Sequence, residues 1–484
     1  MKLKELLRGM EILEMHADPE LNIHNVVYDT RKAMAPGDLF VAISGFAFDG
    51  NSYIDKALQQ GAVAVVTAKK PEKDIPYILV NSDRMALAML GINYFGEPAK
   101  AMKMIGITGT NGKTSVTLLI KHVLETVLGA KVGLIGTMEN QIGREVIPTE
   151  RTTPESFELQ QLFAAMRDAG CGYCVMEVSS HAIALDRVGG VEFDVAAFTN
   201  LSEDHLIFHK TMENYCDTKA QLFHRCKAAV FNQDDSWYPR ISAGVRCPVI
   251  TTAVRSEAML RAENVSMEAQ KVSFTAVYGE QRVAVTLPIP GNFTVYNALT
   301  VLGAVLQVGI SLTDAAAALA TAPGVKGRVE VVPTPGKPYT VLIDYAHTPD
   351  GLENVLSSVR KFCKGRLIAV FGCGGDRDPG KRPIMGKIGT DLSDFAVITS
   401  DNPRNEEPKA IIQDILKGVT RDDDAYVVIE DRRKAIRYAM DKAEKNDIIV
   451  LAGKGHETYQ EIRGVKYPLD ERDVVNAYLT ETEN

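Results

Sequence analysis

Nine consecutive residues carry the clearest chemical signal in this sequence, namely Gly106-Ile-Thr-Gly-Thr-Asn-Gly-Lys-Thr114. They follow an apolar segment and precede a predicted helix over residues 114–128. Glycines in such a turn let backbone N–H groups close around phosphate oxygens, and the helix N-terminus adds partial positive charge. Lys113 can neutralise the β- and γ-phosphates, and the Thr114 hydroxyl can ligate Mg²⁺. The glycine spacing differs from the standard P-loop, but the pattern predicts an ATP or GTP site.

Acidic and imidazole side chains follow two later apolar segments. Glu177 ends one of them, and His205 lies shortly after another, residues 195–198. Ligands bind at the carboxyl ends of strands in open α/β sheets, so these side chains could converge on Mg²⁺ beside the phosphates. Lys219 by itself is a poor metal ligand, because its ordinary pKa of about 10.4 keeps it cationic.

The composition restricts the class of protein. The chain of 484 residues has a net charge of −8, which argues against a general nucleic-acid binder. Seven cysteines, an odd number, do not form a disulfide scaffold and favour a reducing cytoplasm. The longest apolar runs are too short to span a membrane. We therefore expect a cytoplasmic protein, with no nucleic acid partner and no membrane span.

Strand-like and helix-like segments alternate along most of the chain, which is typical of parallel sheets covered by helices. Leu3, Leu6, Leu7, Met10 and Leu13 have the spacing of a short amphipathic helix at the start. Residues 272–277 and 282–287 predict a β-hairpin. Breaks near residues 98 and 333 predict three α/β domains, over residues 1–98, 99–332 and 333–484.

Together these motifs resemble those of the Mur ligases, which are ATP-dependent amide-bond-forming enzymes of peptidoglycan precursor synthesis. The resemblance extends over the whole chain and rests on these segments: Asp29-Thr-Arg31, Gly109-Thr-Asn-Gly-Lys-Thr114, Glu177-Val-Ser-Ser-His181, Asn200-Leu-Ser-Glu-Asp-His205, Asp344-Tyr-Ala-His347, Asp401-Asn-Pro-Arg404 and Gly453-Lys-Gly-His-Glu457. It implies a central P-loop-type ATPase domain with a parallel sheet. An N-terminal UDP-binding α/β domain and a C-terminal Rossmann-like α/β domain would flank it.

The resemblance also implies roles for individual residues. Lys219 falls where the family carries a carbamylated lysine (N6-carboxylysine), which would turn it into an oxygen ligand beside Mg²⁺. The catalytic set is Lys113, Glu177, His205 and Lys219, and the metal set is Thr114, Glu177, His205 and carbamylated Lys219. The implied ATP-binding residues are Gly109, Thr110, Asn111, Gly112, Lys113, Thr114, Ser115, Asn297, Arg328 and Asp344. Those for the UDP-sugar–dipeptide are Thr30, Thr152, Thr153, Ser179 and Arg187.

The C-terminal motifs resemble most closely those of the members that add meso-diaminopimelate to UDP-MurNAc-L-Ala-D-Glu. ATP would phosphorylate the D-Glu γ-carboxylate, and the incoming amine would then displace phosphate. A guanidinium matches the far carboxylate of diaminopimelate with two parallel hydrogen bonds. We expect Arg404 to supply it and Glu457 to pair the far ammonium. The implied amino-acid-binding residues are Arg377, Asp401, Asn402, Arg404, Gly453 and Glu457.

Three other functions stay open at this point. A ligase of the same family could add L-lysine, although the Asp401-Asn-Pro-Arg404 motif counts against it. A folylpolyglutamate-synthetase-like ligase would share the ATPase core but lacks the N-terminal pattern. A P-loop switch protein would bind nucleotide without joining an amino acid. We expect a monomer with small-molecule substrates, with Mg²⁺ as cofactor and ATP as co-substrate.

Overall fold

The computed structural model describes residues 1–45, 49–149, 151–422 and 424–482. Its internal packing divides the chain into two compact units. The first comprises residues 1–251 and 303–310, and the second comprises residues 252–302 and 311–484. Strand β13 (Val249–Ala253) and helix α10 (Asn292–Gln307) contribute residues to both. The predicted boundaries near residues 98 and 333 stay a prediction.

The first unit contains twelve whole strands among its described residues. They are β1 (Ile12–His16), β2 (Val26–Val27), β3 (Asp38–Ala42), β4 (Ala62–Thr67), β5 (Tyr77–Val80), β6 (Lys103–Thr108), β7 (Val132–Ile135), β8 (Asn140–Ile142), β9 (Glu145–Ile147), β10 (Tyr173–Glu177), β11 (Val195–Phe198) and β12 (Ala229–Asn232). Its helices are α1 (Leu3–Leu6), α2 (Ile54–Gln59), α3 (Asp83–Tyr94), α4 (Lys113–Leu128), α5 (Ser156–Asp168), α6 (Ser180–Ala184), α7 (Leu206–His209), α8 (Met212–Ala220) and α9 (Tyr238–Ile241). Short 3-10 helices cover Gly50–Tyr53, Pro98–Ala101 and Gln221–Arg225.

Two sheets organise this unit. The N-terminal sheet has the order β1-β5-β4-β3-β2, and the central strands run in the order β12-β11-β6-β10-β7-β8-β9. The pairs β10–β6, β10–β7, β11–β6 and β11–β12 are parallel. Strands β6, β10 and β11 are almost wholly buried, as expected for parallel strands covered on both faces. Their carboxyl ends therefore meet at one edge of the sheet.

The predicted N-terminal helix is too long. Helix α1 ends at Leu6, and Leu13 lies in β1, which pairs antiparallel with β5. Gly9 has a φ of +76°, so the chain leaves the helical conformation there. A turn therefore ends the helix, although the apolar residues keep a helical spacing. The chain then continues into β1 at the edge of the sheet.

The second unit contains the remaining strands and helices. Its strands are β14 (Leu260–Met267), β15 (Val272–Tyr278), β16 (Gln281–Leu287), β17 (Glu330–Val332), β18 (Thr340–Asp344), β19 (Leu367–Phe371), β20 (Phe395–Ile398), β21 (Tyr426–Val428), β22 (Ile448–Ala452), β23 (Tyr459–Ile462) and β24 (Val465–Pro468). Its helices are α11 (Leu312–Ala320), α12 (Pro349–Arg360), α13 (Lys381–Asp391), α14 (Pro408–Leu416), α15 (Arg432–Lys442) and α16 (Glu471–Thr482).

Its main sheet has the order β17-β18-β22-β19-β20-β21, and all of its pairs except β17–β18 are parallel. Separate apolar cores cover the two faces of this sheet. The predicted hairpin over residues 272–287 is confirmed, because β15 pairs antiparallel with β16. The expected α/β fold class with parallel sheets is confirmed. Among the described residues, no helix is long and apolar enough to cross a membrane.

Candidate functional site

The phosphate turn lies between β6 and α4, as predicted. Gly109 and Gly112 have φ angles of +147° and +86°, and Gly112 is the N-cap of α4. A Cβ atom on Gly109 would lie 2.0 Å from Thr199 Oγ1, so a side chain does not fit there. The Thr110 N–H donates to the Asn200 carbonyl at 2.8 Å. Glycine backbone conformations therefore shape the turn, and a hydrogen bond to the segment after β11 holds it in place.

Polar groups at the carboxyl ends of three parallel strands converge beside this turn. Glu177, at the end of β10, accepts a hydrogen bond from Thr114 Oγ1 at 2.9 Å. Glu177 also accepts from the Thr137 N–H at 2.9 Å and from Thr137 Oγ1 at 3.0 Å. Thr137 follows β7 and was not predicted. The strand-end reasoning that identified Glu177 would have found it, had it been applied to β7 as well.

Two lysines approach the same carbonyl of the turn. Lys113 Nζ donates to Gly109 O at 2.9 Å, and Lys219 Nζ donates to it at 2.9 Å. Lys219 is buried on α8, with its ammonium 4.6 Å from the centre of the Tyr215 ring. Burial, with the positive charge of Lys113 in addition, holds the pKa of Lys219 well below its ordinary value. The neutral amine therefore forms more easily at Lys219 than on an exposed lysine.

His205 lies next to these groups, at the N-cap of α7. Its ring centre is 6.3 Å from that of Tyr215 and 4.8 Å from that of His181. Burial lowers its pKa, and both Lys113 and Lys219 contribute to the lowering. The structure therefore gathers Thr114, Glu177, His205 and Lys219 around one turn. No cluster of three or more His, Cys, Asp or Glu side chains suited to a metal occurs in the described part of the chain.

The residues expected to bind the UDP-sugar–dipeptide fall into two adjoining groups. Thr153 Oγ1 donates to the Glu177 carbonyl at 2.9 Å, and Arg187 Nη1 donates to the Thr153 carbonyl at 3.1 Å. Ser179 caps α6 and lies 3.4 Å from Thr153 Oγ1. Thr152 Oγ1 is 3.0 Å from Thr137 Oγ1. These four residues thus form one polar surface beside Glu177.

Thr30 lines a cavity of about 1110 Å³ within the first unit. Arg84 and Glu155 also line it, and neither was predicted. The Glu155 carboxylate is buried and lies 3.4 Å from Arg187 and 3.7 Å from Arg84. The cavity therefore adjoins Arg187 of the dipeptide group. Arg84 and Glu155 come from separate segments, so no local sequence pattern could have identified them together.

In the second unit, Asp344 ends β18 and accepts backbone hydrogen bonds from Val329 and Ala346, each at 2.8 Å. Burial raises its pKa despite these hydrogen bonds and the nearby Arg328 charge. The Arg328 guanidinium lies 5.0 Å from the centre of the Tyr345 ring. Arg328 and Asp344 are thus brought together. Asn297 is buried on α10.

The two C-terminal motifs also converge, although about fifty residues separate them. Asn402 Nδ2 donates to Glu457 Oε2 at 2.8 Å. Lys454, which was not predicted as a site residue, donates to the same Glu457 oxygen at 2.9 Å. Arg404 Nε lies 3.3 Å from Glu461 Oε2, and Arg404 Nη1 donates to the Gly375 carbonyl at 2.8 Å. Asn402 and Glu457 are therefore in direct contact, and Arg404 adjoins them through Glu461, whose N–H donates to Asn402 Oδ1.

Asp401 and Gly453 lie behind this cluster. A Cβ on Gly453 would approach Asp401 Oδ2 to 2.6 Å. Burial alone would raise the pKa of Asp401, but the charges of Lys454 and Arg432 outweigh it, so the pKa lies below its ordinary value. Arg432 is itself buried and donates to Glu471 Oε1 at 2.8 Å. Arg377 is exposed. Its Cγ lies 3.9 Å from the point that a Cβ atom on Gly374 would occupy.

A glycine turn, paired lysines and a buried carboxylate at one edge of a parallel sheet define a nucleotide-binding α/β protein. Three family models match the chain in order. They are the Mur ligase family catalytic domain at residues 22–90, the Mur ligase middle domain at residues 107–305, and the Mur ligase glutamate ligase domain at residues 327–455.

Curated relatives align over nearly the whole chain. A UDP-N-acetylmuramoyl-L-alanyl-D-glutamate–2,6-diaminopimelate ligase of Clostridium botulinum is 49% identical, over 99% of this chain and 100% of the relative. The enzyme of the same name from Clostridium tetani is 47% identical over the same shares. A solved structure with that enzyme name has a TM-score of 0.75 and 30% identity, over 100% of this chain and 99% of the other. The chain belongs to the Mur ligase family.

Proposed function

We propose that this protein joins meso-diaminopimelate to the D-Glu γ-carboxylate of UDP-MurNAc-L-Ala-D-Glu, with ATP hydrolysed to ADP and phosphate. The names of the relatives support this reaction. The observation that carries it is that Asn402 contacts the Glu457 carboxylate, while Arg404 pairs with the adjoining Glu461, whose N–H donates to Asn402 Oδ1, so a carboxylate and a guanidinium belong to neighbouring residues. These are the two groups that the far end of diaminopimelate, with its carboxylate and its ammonium, requires.

The amide bond forms in two steps. The acceptor carboxylate first takes the γ-phosphoryl group, giving an acyl phosphate and ADP. The amine then attacks the acyl carbon, phosphate leaves, and the amine loses a proton. Lys113 and the backbone N–H groups of the turn oppose the repulsion between triphosphate and carboxylate, and they stabilise charge on the transferring group. The acceptor-binding residues supply the positioning on which the rest of the rate enhancement depends.

The residues around the turn fit a hard divalent cation. Thr114 and Glu177 offer oxygen atoms, which Mg²⁺ prefers, and Glu177 is buried at the strand edge. We propose that Thr114, Glu177, His205 and carbamylated Lys219 hold Mg²⁺ directly or through water. Bound there, the cation would offset charge on the phosphate oxygens. Thr114 and Glu177 already contact one another, so the protein orients these two proposed metal ligands before the cation binds.

Lys219 suits carbamylation because its amine is buried and burial lowers its pKa, so that the neutral amine forms more easily. The neutral nitrogen attacks CO₂, a C–N bond forms, and one proton is released, which leaves an anionic carbamate. Protein incubated with ¹³C-labelled bicarbonate should give a carbamate carbon signal that is missing from Lys219→Arg. A wild-type spectrum without this signal would contradict the modification.

The neighbouring polar groups support a proposal for the other substrates as well. We propose that the cavity with Thr30 receives the uridine diphosphate end, while Thr152, Thr153, Ser179 and Arg187 hold the sugar and dipeptide. Asn297, Arg328 and Asp344 would hold adenine and ribose, since buried Asp344 can accept hydrogen bonds from ribose hydroxyls. Asp401 and Gly453 would support the amino-acid-binding residues, and Arg377, which lies near Gly374, would join them.

Phosphate release in the presence of ATP, UDP-MurNAc-L-Ala-D-Glu and a panel of amino acids tests this function. We expect release to depend on meso-diaminopimelate and a tripeptide product of matching mass. In Arg404→Ala, kcat/KM for diaminopimelate should fall by about a hundredfold or more, while nucleotide binding persists. Equal use of L-lysine would favour the lysine-adding alternative, and a requirement for a folate substrate would favour the folylpolyglutamate-synthetase-like one. ATP hydrolysis without any amino-acid dependence would indicate a switch protein.

A further inference from the structure

Lys454 is a fully buried lysine in the loop that follows β22, and its exposed fraction is 0%. Its ammonium donates to Asn402 Oδ1 at 3.0 Å and to Glu457 Oε2 at 2.9 Å. A buried charge is stable only when it is paired and hydrogen-bonded, so this ammonium depends on both acceptors. Its two partners are residues that the proposed function assigns to amino-acid binding.

Lys454 also determines how the Asn402 amide is oriented. Asn402 Oδ1 accepts from Lys454 Nζ and from the Glu461 N–H at 2.9 Å. The amide nitrogen is thereby turned toward Glu457 Oε2, to which it donates. Two donors consequently meet on one oxygen of Glu457, and they fix the direction of its carboxylate.

The consequence is electrostatic. Because the Lys454 ammonium contacts Glu457 directly, much of the negative charge of this carboxylate is offset before a substrate arrives. An entering side chain that ends in an ammonium alone, such as that of lysine, brings a positive charge to the Lys454–Glu457 pair, whose own charges already offset one another. Diaminopimelate brings a carboxylate together with its ammonium, so its far end has no net charge.

We propose that Lys454 is a specificity-determining residue that acts through Glu457 and Asn402. Its charge disfavours the binding of amino acids whose side chains end in a lone cation. It does not disfavour those whose side chains end in both an ammonium and a carboxylate. This inference rests on the proposed function, and it adds a residue that weakens the binding of the competing amino acid, L-lysine. Discrimination achieved by an unfavourable charge contact is a common way to separate similar ligands.

The test is Lys454→Met, with kcat/KM measured for meso-diaminopimelate and for L-lysine by phosphate release. Methionine preserves the apolar length of the chain and removes the charge, which leaves Glu457 free to pair with a lone ammonium. We expect the ratio of the two kcat/KM values, diaminopimelate over lysine, to fall about tenfold or more. A merely structural role would lower both values equally and leave the ratio unchanged, which would overturn the proposal.

Lys466→Met is the matched control. Lys454 and Lys466 both lie over the Tyr459 ring, at 5.7 Å and 4.3 Å from its centre, but Lys466 is exposed on β24. The same substitution there should leave the ratio at its wild-type value. A fall of equal size in Lys466→Met would overturn the proposal, because it would show that the ratio responds to any loss of positive charge in this region.

Lys454→Gln separates charge from hydrogen bonding. Glutamine can still donate a hydrogen bond but carries no charge, so the ratio should fall as it does in Lys454→Met. A wild-type ratio in Lys454→Gln would overturn the proposal, as would the loss of folded protein in both variants, because Lys454 would then be structural. Failure of the proposed function is distinct, since the wild-type protein would itself show no release that depends on diaminopimelate.

Discussion

The phosphate turn of the first unit and the Asn402–Glu457 cluster of the second are built in opposite ways. Gly109 and Gly112 shape the turn through backbone conformations that only glycine adopts readily. The N–H groups that we propose to hold phosphate belong to residues that are adjacent in the chain. The geometry of the turn is therefore local, and one short segment of sequence specifies most of it.

The cluster of the second unit depends instead on buried charges from distant segments. Lys454 and Glu457 meet Asn402 from about fifty residues away. Behind them, the buried Arg432–Glu471 pair lies 4.0 Å from Asp401. Arg432 depends on Glu471 from another segment, and Lys454 depends on Asn402 from another segment in addition to the nearby Glu457. From this comparison we expect the turn to tolerate the loss of a charge better than the loss of a glycine. We expect the Asn402–Glu457 cluster to tolerate the loss of a glycine better than the loss of a charge.

The largest effect that we expect comes from removing a buried charge in the second unit. Arg432→Met leaves Glu471, which has an exposed fraction of 0%, without its ionic partner. We expect the free energy of unfolding to fall by about 3–5 kcal/mol, as measured by urea denaturation. Because Arg432 also lies beside Asp401, the affinity for diaminopimelate should fall as well.

Arg437→Met is the control for that variant. Arg437 also joins α15 to α16, through Glu481, but this pair is accessible to solvent, so the loss should be far smaller than in Arg432→Met. The double variant Arg432→Met/Glu471→Met should recover much of the lost stability, because it buries no unpaired charge. Equal losses in Arg432→Met and Arg437→Met would remove the distinction between the two regions.

The next effect tests the backbone-made turn. In Gly109→Ala, the new Cβ would lie 2.0 Å from Thr199 Oγ1, and the φ of +147° would be strained. We expect about 2 kcal/mol of destabilisation and a fall of about a hundredfold in kcat/KM for ATP. Thermal unfolding and steady-state kinetics measure the two quantities.

Gly129→Ala separates backbone strain from the steric clash. Gly129 ends the same helix, α4, with a φ of +60°, and no heavy atom lies within 4 Å of its Cβ position. This variant should lose about 1 kcal/mol and keep its activity. If Gly109→Ala binds ATP as the wild type does, the turn is not held by close backbone packing.

The smallest effect is a pH dependence that both regions share. Burial lowers the pKa of His456 in the second unit to about 4, and that of His209 in the first unit to about 4. Between the ordinary histidine pKa of about 6.5 and that value, the unfolded chain binds protons that the folded chain does not. Stability is therefore complete above about pH 6.5 and falls as the pH drops toward 4.

Urea denaturation at pH 7.5 and pH 5 measures this loss. Each proton should contribute less than the limit of about 1.4 kcal/mol per pH unit. The single tryptophan, Trp237, lies in the first unit, so its fluorescence follows that unit while circular dichroism follows both. His209→Gln should flatten the pH dependence in both signals, and His456→Gln mainly in circular dichroism. An unchanged slope in both variants would contradict the assignment.

Sequence reasoning predicted the elements best where the apolar pattern was strong. The apolar segment at residues 195–198 agrees with β11, and the predicted helix after the phosphate turn differs from α4 by one residue at its start. The N-terminal helix was wrong beyond Leu6, since its apolar spacing also suited a turn followed by an edge strand. The strand-end rule placed Glu177 correctly beside Thr114, because adjacent parallel strands share one edge.

The sequence by itself determined the phosphate turn, the alternation of strands and helices and, through whole-length resemblance, the family. These features depend on residues that are close in the chain or on apolar periodicity, and both can be read along one dimension. Only the tertiary structure decided that Lys219 is buried against Gly109, that Thr137 holds Glu177, and that Lys454 pairs with Glu457. The physical reason is that burial and ionic pairing are properties of three-dimensional neighbours, and they determine which side chains are in contact and which charged groups a substrate meets.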